Sequence, residues 1–213
     1  MADPRLFRLR VTFRETGRLA MLSHLELARA LERAVRRAGL PYAVSQGFSP
    51  HMRIAFGAAL PVGVGGTAEF FDLFLTDYVA APKALAALQE ASPADLFPVE
   101  ARYIEHKDPA ASVACPVSTY EVVLSEAPAS VVVPEEITVV RKKKEKTLAV
   151  ADFLVGPVEH DGATVRFTLE AKPTGSLRAD AFARELVAAT VAAGCALATL
   201  RPTSFMRVEQ REA

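Results

Sequence analysis

Between Ser23 and Pro41 the chain spells out one complete helix with both of its ends, and this stretch constrains the fold more than any other. Ser23 and Glu26 stand three residues apart, the spacing of a capping box. In that motif each side chain satisfies a backbone N–H that the first helical turn leaves without a partner. Leu27, Leu31, Ala34, Val35 and Ala38 recur at helical spacing and form one apolar face. Gly39 stops the helix and Pro41 prevents it from resuming. A helix with one apolar face must lie on something. The flanking residues suggest a sheet.

Before the helix, Leu9, Val11 and Phe13 alternate with Arg8, Arg10 and Thr12. That period of two predicts a half-buried strand with the arginines on its wet side. After the helix come a short strand from Pro41, an irregular loop and a strand in the apolar run 54–60. Another strand is predicted over Ala68–Leu75, a helix over Pro82–Ala91 with proline in its first turn, and a strand over Phe97–Ile104. The order matches a ferredoxin-like βαββαβ half with one extra strand. Residues 106–118, with two prolines, read as a linker. A second, smaller α+β half follows over 119–213. Its strands are expected near Tyr120–Leu124, Ile137–Arg141, Leu148–Val155, Thr164–Glu170 and Ser204–Glu209, with one helix near Arg178–Ala193. The expected class is therefore α+β with mostly antiparallel sheets, in domains 1–105 and 119–213.

Charge narrows the choice of partner. Residues 1–53 carry ten Lys/Arg against four Asp/Glu, residues 54–140 three against twelve, and residues 141–213 twelve against nine. The neutral total thus hides a basic N-terminal region and an acidic middle. The two cysteines, Cys115 and Cys195, are too few and too far apart for a disulfide framework or a zinc site. No metal and no cofactor is expected. No cationic start leads into an apolar run, and no apolar stretch reaches the roughly 20 residues of a membrane span, so a cytoplasmic protein is expected.

Four features carry possible chemistry. Arg29, Arg33 and Arg36, at i, i+4 and i+7 with Arg37 beside them, form a basic helix face that Arg8, Arg10 and Arg18 would extend. Guanidinium forks match phosphate oxygens. The same face also reads as an ordinary solvated surface, with Glu26 pairing Arg29 and Glu32 pairing Arg36. The loop Ser45-Gln46-Gly47-Phe48-Ser49-Pro50-His51-Met52-Arg53 offers an aromatic ring, a histidine and an arginine to a nucleotide or single-stranded RNA. Alternatively, Phe48 plugs the core. His24 and His51 would serve as general acid and base if they converged. The run Arg141–Lys146 reads as a solvated hairpin tip or a contact to a nucleic-acid backbone. Walker-type, Gly-x-Gly-x-x-Gly, Cys-x-x-Cys and His-Glu-x-x-His motifs are absent from the sequence.

Ser23-His24-Leu25, Ala30 through Ala38, Leu40-Pro41, Ser45 through His51, Ile54 and Leu60-Pro61-Val62-Gly63 stand in an ordered block. This block resembles the radical-SAM-linked proteins, a bacterial family described as a domain of unknown function. The similarity is dense over residues 6–75 and continues thinly to about residue 210. It implies a protein that stands alone or is fused behind a radical-SAM module. Its implied role is to recognise the substrate of such a partner enzyme; tRNA or rRNA modification is the setting expected from the arginine face and the 45–53 loop. A looser likeness, of fold alone, is to ferredoxin-like RNA-processing proteins of the CRISPR type, which use a histidine near the first helix. Three expectations result: an RNA-binding partner of a radical-SAM enzyme using Arg29, Arg33, Arg36, Arg37, Phe48, His51 and Arg53; a metal-independent RNA-processing or RNA-modifying enzyme using His24 and His51; or a protein-interaction domain docking through the acidic middle or a sheet edge.

Overall fold

The computed structural model describes residues 6–141, 144–173 and 175–212. The chain divides into two units, Met1–Cys115 and Pro116–Ala213, with the division inside the stretch read as a linker.

The first unit runs β1 (Phe7–Glu15), α1 (His24–Arg37), β2 (Ile54–Phe56), β3 (Gly65–Leu75), α2 (Ala81–Ala91), β4 (Leu96–Tyr103) and a short helix α3 (Ala111–Ala114). Its strands lie in the order β4-β1-β3-β2, and every neighbouring pair is antiparallel. The capping box forms as its spacing predicts. The Ser23 N–H donates to Glu26 Oε2 at 2.8 Å, and the Glu26 N–H donates to Ser23 Oγ at 3.4 Å. Leu27, Leu31, Ala34 and Val35 are buried, and the leucines and valine pack with Leu9, Val11, Phe71 and Leu73 of the sheet. Each large apolar side chain buried in this way contributes about 1.5–3 kcal/mol. Gly39 sits at φ 65°, a left-handed conformation costly for residues with a Cβ, and so turns the chain out of the helix.

Two expectations in this unit need correcting. The segment after Pro41 is no strand. It makes only isolated bridges, Tyr42 with Leu75 and Val44 with Met52. The larger correction concerns Arg8 and Arg10, which point away from the helices but are not in water. They are 7% and 8% exposed, because β1 is an inner strand and the segment 105–114 passes over that face. Both grip Asp72, which is fully buried directly opposite Arg10 on β3. Arg8 reaches Asp72 Oδ2 at 2.7 Å and Arg10 reaches Oδ1 at 2.7 Å. Arg8 also donates to the carbonyls of Glu105, Asp108 and Pro109 at 3.3, 2.9 and 2.7 Å, which fastens that segment to the sheet. The hydrogen bond to Asp72 raises the affinity of Arg10 for its proton and outweighs burial, which acts the other way.

The second unit runs β5 (Val117–Leu124), β6 (Glu136–Arg141), β7 (Lys144–Ala149), β8 (Glu159–Asp161), β9 (Thr164–Glu170), α4 (Ala179–Ala192) and β10 (Pro202–Arg211). β10, β5, β9 and β8 form an antiparallel row, while β6 and β7 pair as a separate hairpin. Phe167, Phe182, Leu186 and Ile137 centre its core, with the Phe167 and Phe182 rings edge to face at 4.6 Å. The strand expected over Leu148–Val155 breaks at Ala149. A 3₁₀ turn over Val150–Asp152 lets both Val150 and Phe153 reach the core, which a straight strand with period two would not. Of the basic run, Arg141 pairs with Lys144, and Lys142 and Lys143 lie outside the described residues.

Asp180, in the first turn of α4, bonds Arg178 at 2.9 Å and Arg184 at 2.9 Å. Burial pushes its carboxyl up, but the two arginines hold it below the usual carboxylate range. A depressed carboxyl stabilises the fold above its unfolded value, and that stabilisation disappears as pH falls through the folded value. Asp180→Asn is therefore expected to lower stability by about 1 kcal/mol at neutral pH. The gap to the wild type should close at acidic pH, where Asp180 is protonated. Urea titrations at neutral pH and in acid check this. A constant gap under both conditions contradicts it.

The mixed α+β class and the mostly antiparallel sheets are as the sequence predicts. Among the described residues, no helix is long and apolar enough to cross a membrane.

Candidate nucleic-acid interface

The capped start of α1 follows a 3₁₀ turn, Gly17–Met21, whose lead-in is fixed by the Thr16 N–H donating to the Asp95 carbonyl at 2.9 Å. This brings the turn, α1 and the approach to β4 around a groove of about 430 Å³. Leu19, Leu22, Ala30, Pro93 and Leu96 supply its apolar lining, and Arg29, Arg33 and Arg37 its cations. The three arginines stand four residues apart, so they rise along one side of the helix. Glu26 is the acid in the groove and is already engaged by Ser23. The Ser23 hydroxyl, and then its backbone N–H, hold the Glu26 carboxyl below its ordinary range against a small effect of burial, and Arg29 adds to this.

The row expected from spacing thus divides. Arg36 turns the other way, where the Tyr42 hydroxyl and then Glu32 raise its guanidinium above the ordinary value. Its ion pair with Glu32 spans 3.1 Å. Arg37 joins the groove and also donates to the Ala91 carbonyl at the end of α2. A cation there complements the negative end of that helix. Among the described residues, neither Arg29 nor Arg33 makes an ion pair, and both are exposed. Arg18 is exposed in the 3₁₀ turn. Arg8 and Arg10 belong to the buried cluster and cannot extend the patch.

The loop 45–53 leaves the body as a finger. Its base is zipped by the Ser45 N–H to the His51 carbonyl at 2.8 Å and by the His51 N–H to Ser45 Oγ at 3.0 Å. One step inward, the Arg53 N–H donates to the Ala43 carbonyl at 2.8 Å, and the Ala43 N–H to the Phe74 carbonyl at 2.7 Å. Phe48 at the tip is fully exposed, so it does not plug the core. The Arg53 guanidinium lies over the Phe74 ring, 5.0 Å from its centre. His51 is exposed on the returning arm. His24 opens α1 with its ring edge-on to Phe56 at 5.2 Å. Among the described residues, no group of three or more His, Cys, Asp or Glu side chains is placed to hold a metal ion.

Sequence reasoning missed the buried cluster. Its signal was there: Asp72 is a lone acid inside the apolar run Phe70-Phe71-Asp72-Leu73-Phe74. An acid in such a setting needs a buried cation beside it.

A mixed α+β protein with a cationic helical groove and a projecting aromatic loop is the class these features define. The chain belongs to the bacterial family described as "Uncharacterized protein conserved in bacteria (DUF2344)", whose model matches residues 8–179. It matches no curated protein.

Proposed function

We propose that this protein is an RNA-binding module that holds a phosphate backbone along α1, and that it presents this RNA to a radical-SAM enzyme. The observation that carries the RNA reading is the groove in which Arg29 and Arg33 stand exposed without an ion pair among the described residues, beside Arg37. Helix surfaces ordinarily neutralise such rows with acids at i±4. Here the acid that lines the groove, Glu26, is hydrogen-bonded within the capping box, and Glu32 pairs with Arg36. From Arg33 to Ala68 the chain has no Asp or Glu, so nothing charged in that stretch repels an anion. Reading the first unit as ferredoxin-like is supported by its strand order β4-β1-β3-β2 with α1 and α2 as crossovers. The partner enzyme rests on the residue resemblance of Ser23–Gly63 alone.

Anisotropy titration of a fluorescein-labelled single-stranded RNA of about 12 nucleotides, at several salt concentrations, tests the RNA reading. Three arginine–phosphate contacts predict a slope near −2 in log affinity against log salt, at about −0.7 for each contact. Affinity that is flat between about 50 and 200 mM salt sinks the reading. A stable complex with an enzyme partner in the absence of any RNA affinity would instead make this a protein-docking domain.

A further inference from the structure

We infer that the 45–53 finger is a reader of unpaired bases, with Phe48 as a stacking ring that gives the module preference for single-stranded over duplex RNA. This rests on the RNA reading above, but on an observation independent of the arginine groove. A large aromatic ring held fully in water gains nothing for the fold, because its apolar surface is never buried. Yet the loop that presents it is tied down. Four backbone hydrogen bonds and one to Ser45 Oγ hold the arms, from Ala43 and Arg53 against β3 out to Ser45 and His51. The Val44–Met52 bridge lies between them, and Met52 is anchored in the core. At the tip, Gly47 sits at φ 147° with open space around it, so what it supplies is a backbone turn. Pro50 stiffens the descending arm. A ring presented in this way loses little freedom when a ligand covers it.

The chemistry around the ring selects the ligand. Gln46, Ser49 and His51 place hydrogen-bonding groups beside it in the loop, and the loop has no acid. A flat, π-faced, hydrogen-bonding ligand attached to an anionic chain fits these neighbours, and an unpaired nucleobase is that ligand. Bases within a duplex already stack on both faces, so the ring has no access to them without unstacking.

The test uses the full chain with Phe48→Ala and Phe48→Trp. The probes are the fluorescein-labelled single-stranded RNA and the same RNA annealed to its complement. Phe48→Ala should weaken binding of the single strand about tenfold, the range of one base stack, and leave the duplex unchanged. Phe48→Trp should retain the preference. Since the ring touches no core, both variants should melt with the wild type, which excludes a folding artefact. Equal affinities of Phe48→Ala and wild type for the single strand would overturn the inference, as would equal losses for both RNAs. In either case a preserved salt slope leaves the groove reading standing. If wild type binds neither RNA, both readings fall, and a protein partner becomes the occupant of the finger.

Discussion

Asp72→Asn is expected to destabilise the first unit by about 3–5 kcal/mol, the cost of removing one partner from a buried ion cluster. The carboxylate is fully buried and accepts from two guanidinium groups whose residues are themselves 7% and 8% exposed. An amide of the same shape keeps the space filled but leaves two cations without their counter-charge in a region where water cannot replace it. Because native domains are stable by about 5–15 kcal/mol, a loss of this size removes much of the margin. The midpoint of urea unfolding reports it, with little change in slope. A loss under about 1 kcal/mol would mean that the cluster is hydrated in solution. Replacing the set together, Arg8→Met with Arg10→Met and Asp72→Leu, should recover much of the stability, since no charge is then left alone. Recovery should stay incomplete, because Arg8 also holds the carbonyls of Glu105, Asp108 and Pro109, which an apolar side chain cannot do.

Arg29→Ala combined with Arg33→Ala is expected to flatten the salt dependence of RNA binding by about 1.4 in slope, roughly 0.7 for each arginine removed from a phosphate. The fall in affinity should be similar for all sequences, because backbone contacts position a nucleic acid without reading it. The fold should be unaffected. Both side chains are exposed, and alanine is the best residue for a helix interior. Arg36→Ala is the informative control. That side chain is engaged by Tyr42 and Glu32 on another side of α1, so its removal should change the slope far less. Equal effects of Arg36→Ala and the double substitution would mean a diffuse attraction with no defined groove. Together with the Phe48 variants, the slope separates the part of binding that is charge from the part that is stacking.

The sequence carried the helix α1 almost complete. Every device it uses, from the Ser23–Glu26 box to Gly39, acts within one or two turns of the backbone, so the residues that decide it are neighbours in the chain. The same holds for β9 and for α4, whose periods are local. The exposed finger was legible as a loop because glycine, serine and proline set its backbone, although whether Phe48 faces water or core was not. What failed was non-local. Alternation in β1 distinguished two faces of a strand but could not say that both would be covered, since the covering comes from residues 105–114, about a hundred positions away. The helical row of arginines was visible from spacing alone. Its division into Arg29, Arg33 and Arg37 on one side and Arg36 on the other depends on where Pro93, Leu96 and Tyr42 arrive.

The sequence by itself thus determined most of the secondary elements, the caps of α1 and the basic character of the first fifty residues. Those properties follow from short-range hydrogen bonding and from composition, and neither needs a partner segment. The tertiary structure alone decided which charges are buried and which are free to act. Arg8, Arg10, Arg29 and Arg33 are chemically the same side chain. Two became structural because Asp72 and a crossing segment enclosed them, and two remain available because they stand exposed along a groove whose lining acid, Glu26, is hydrogen-bonded to Ser23.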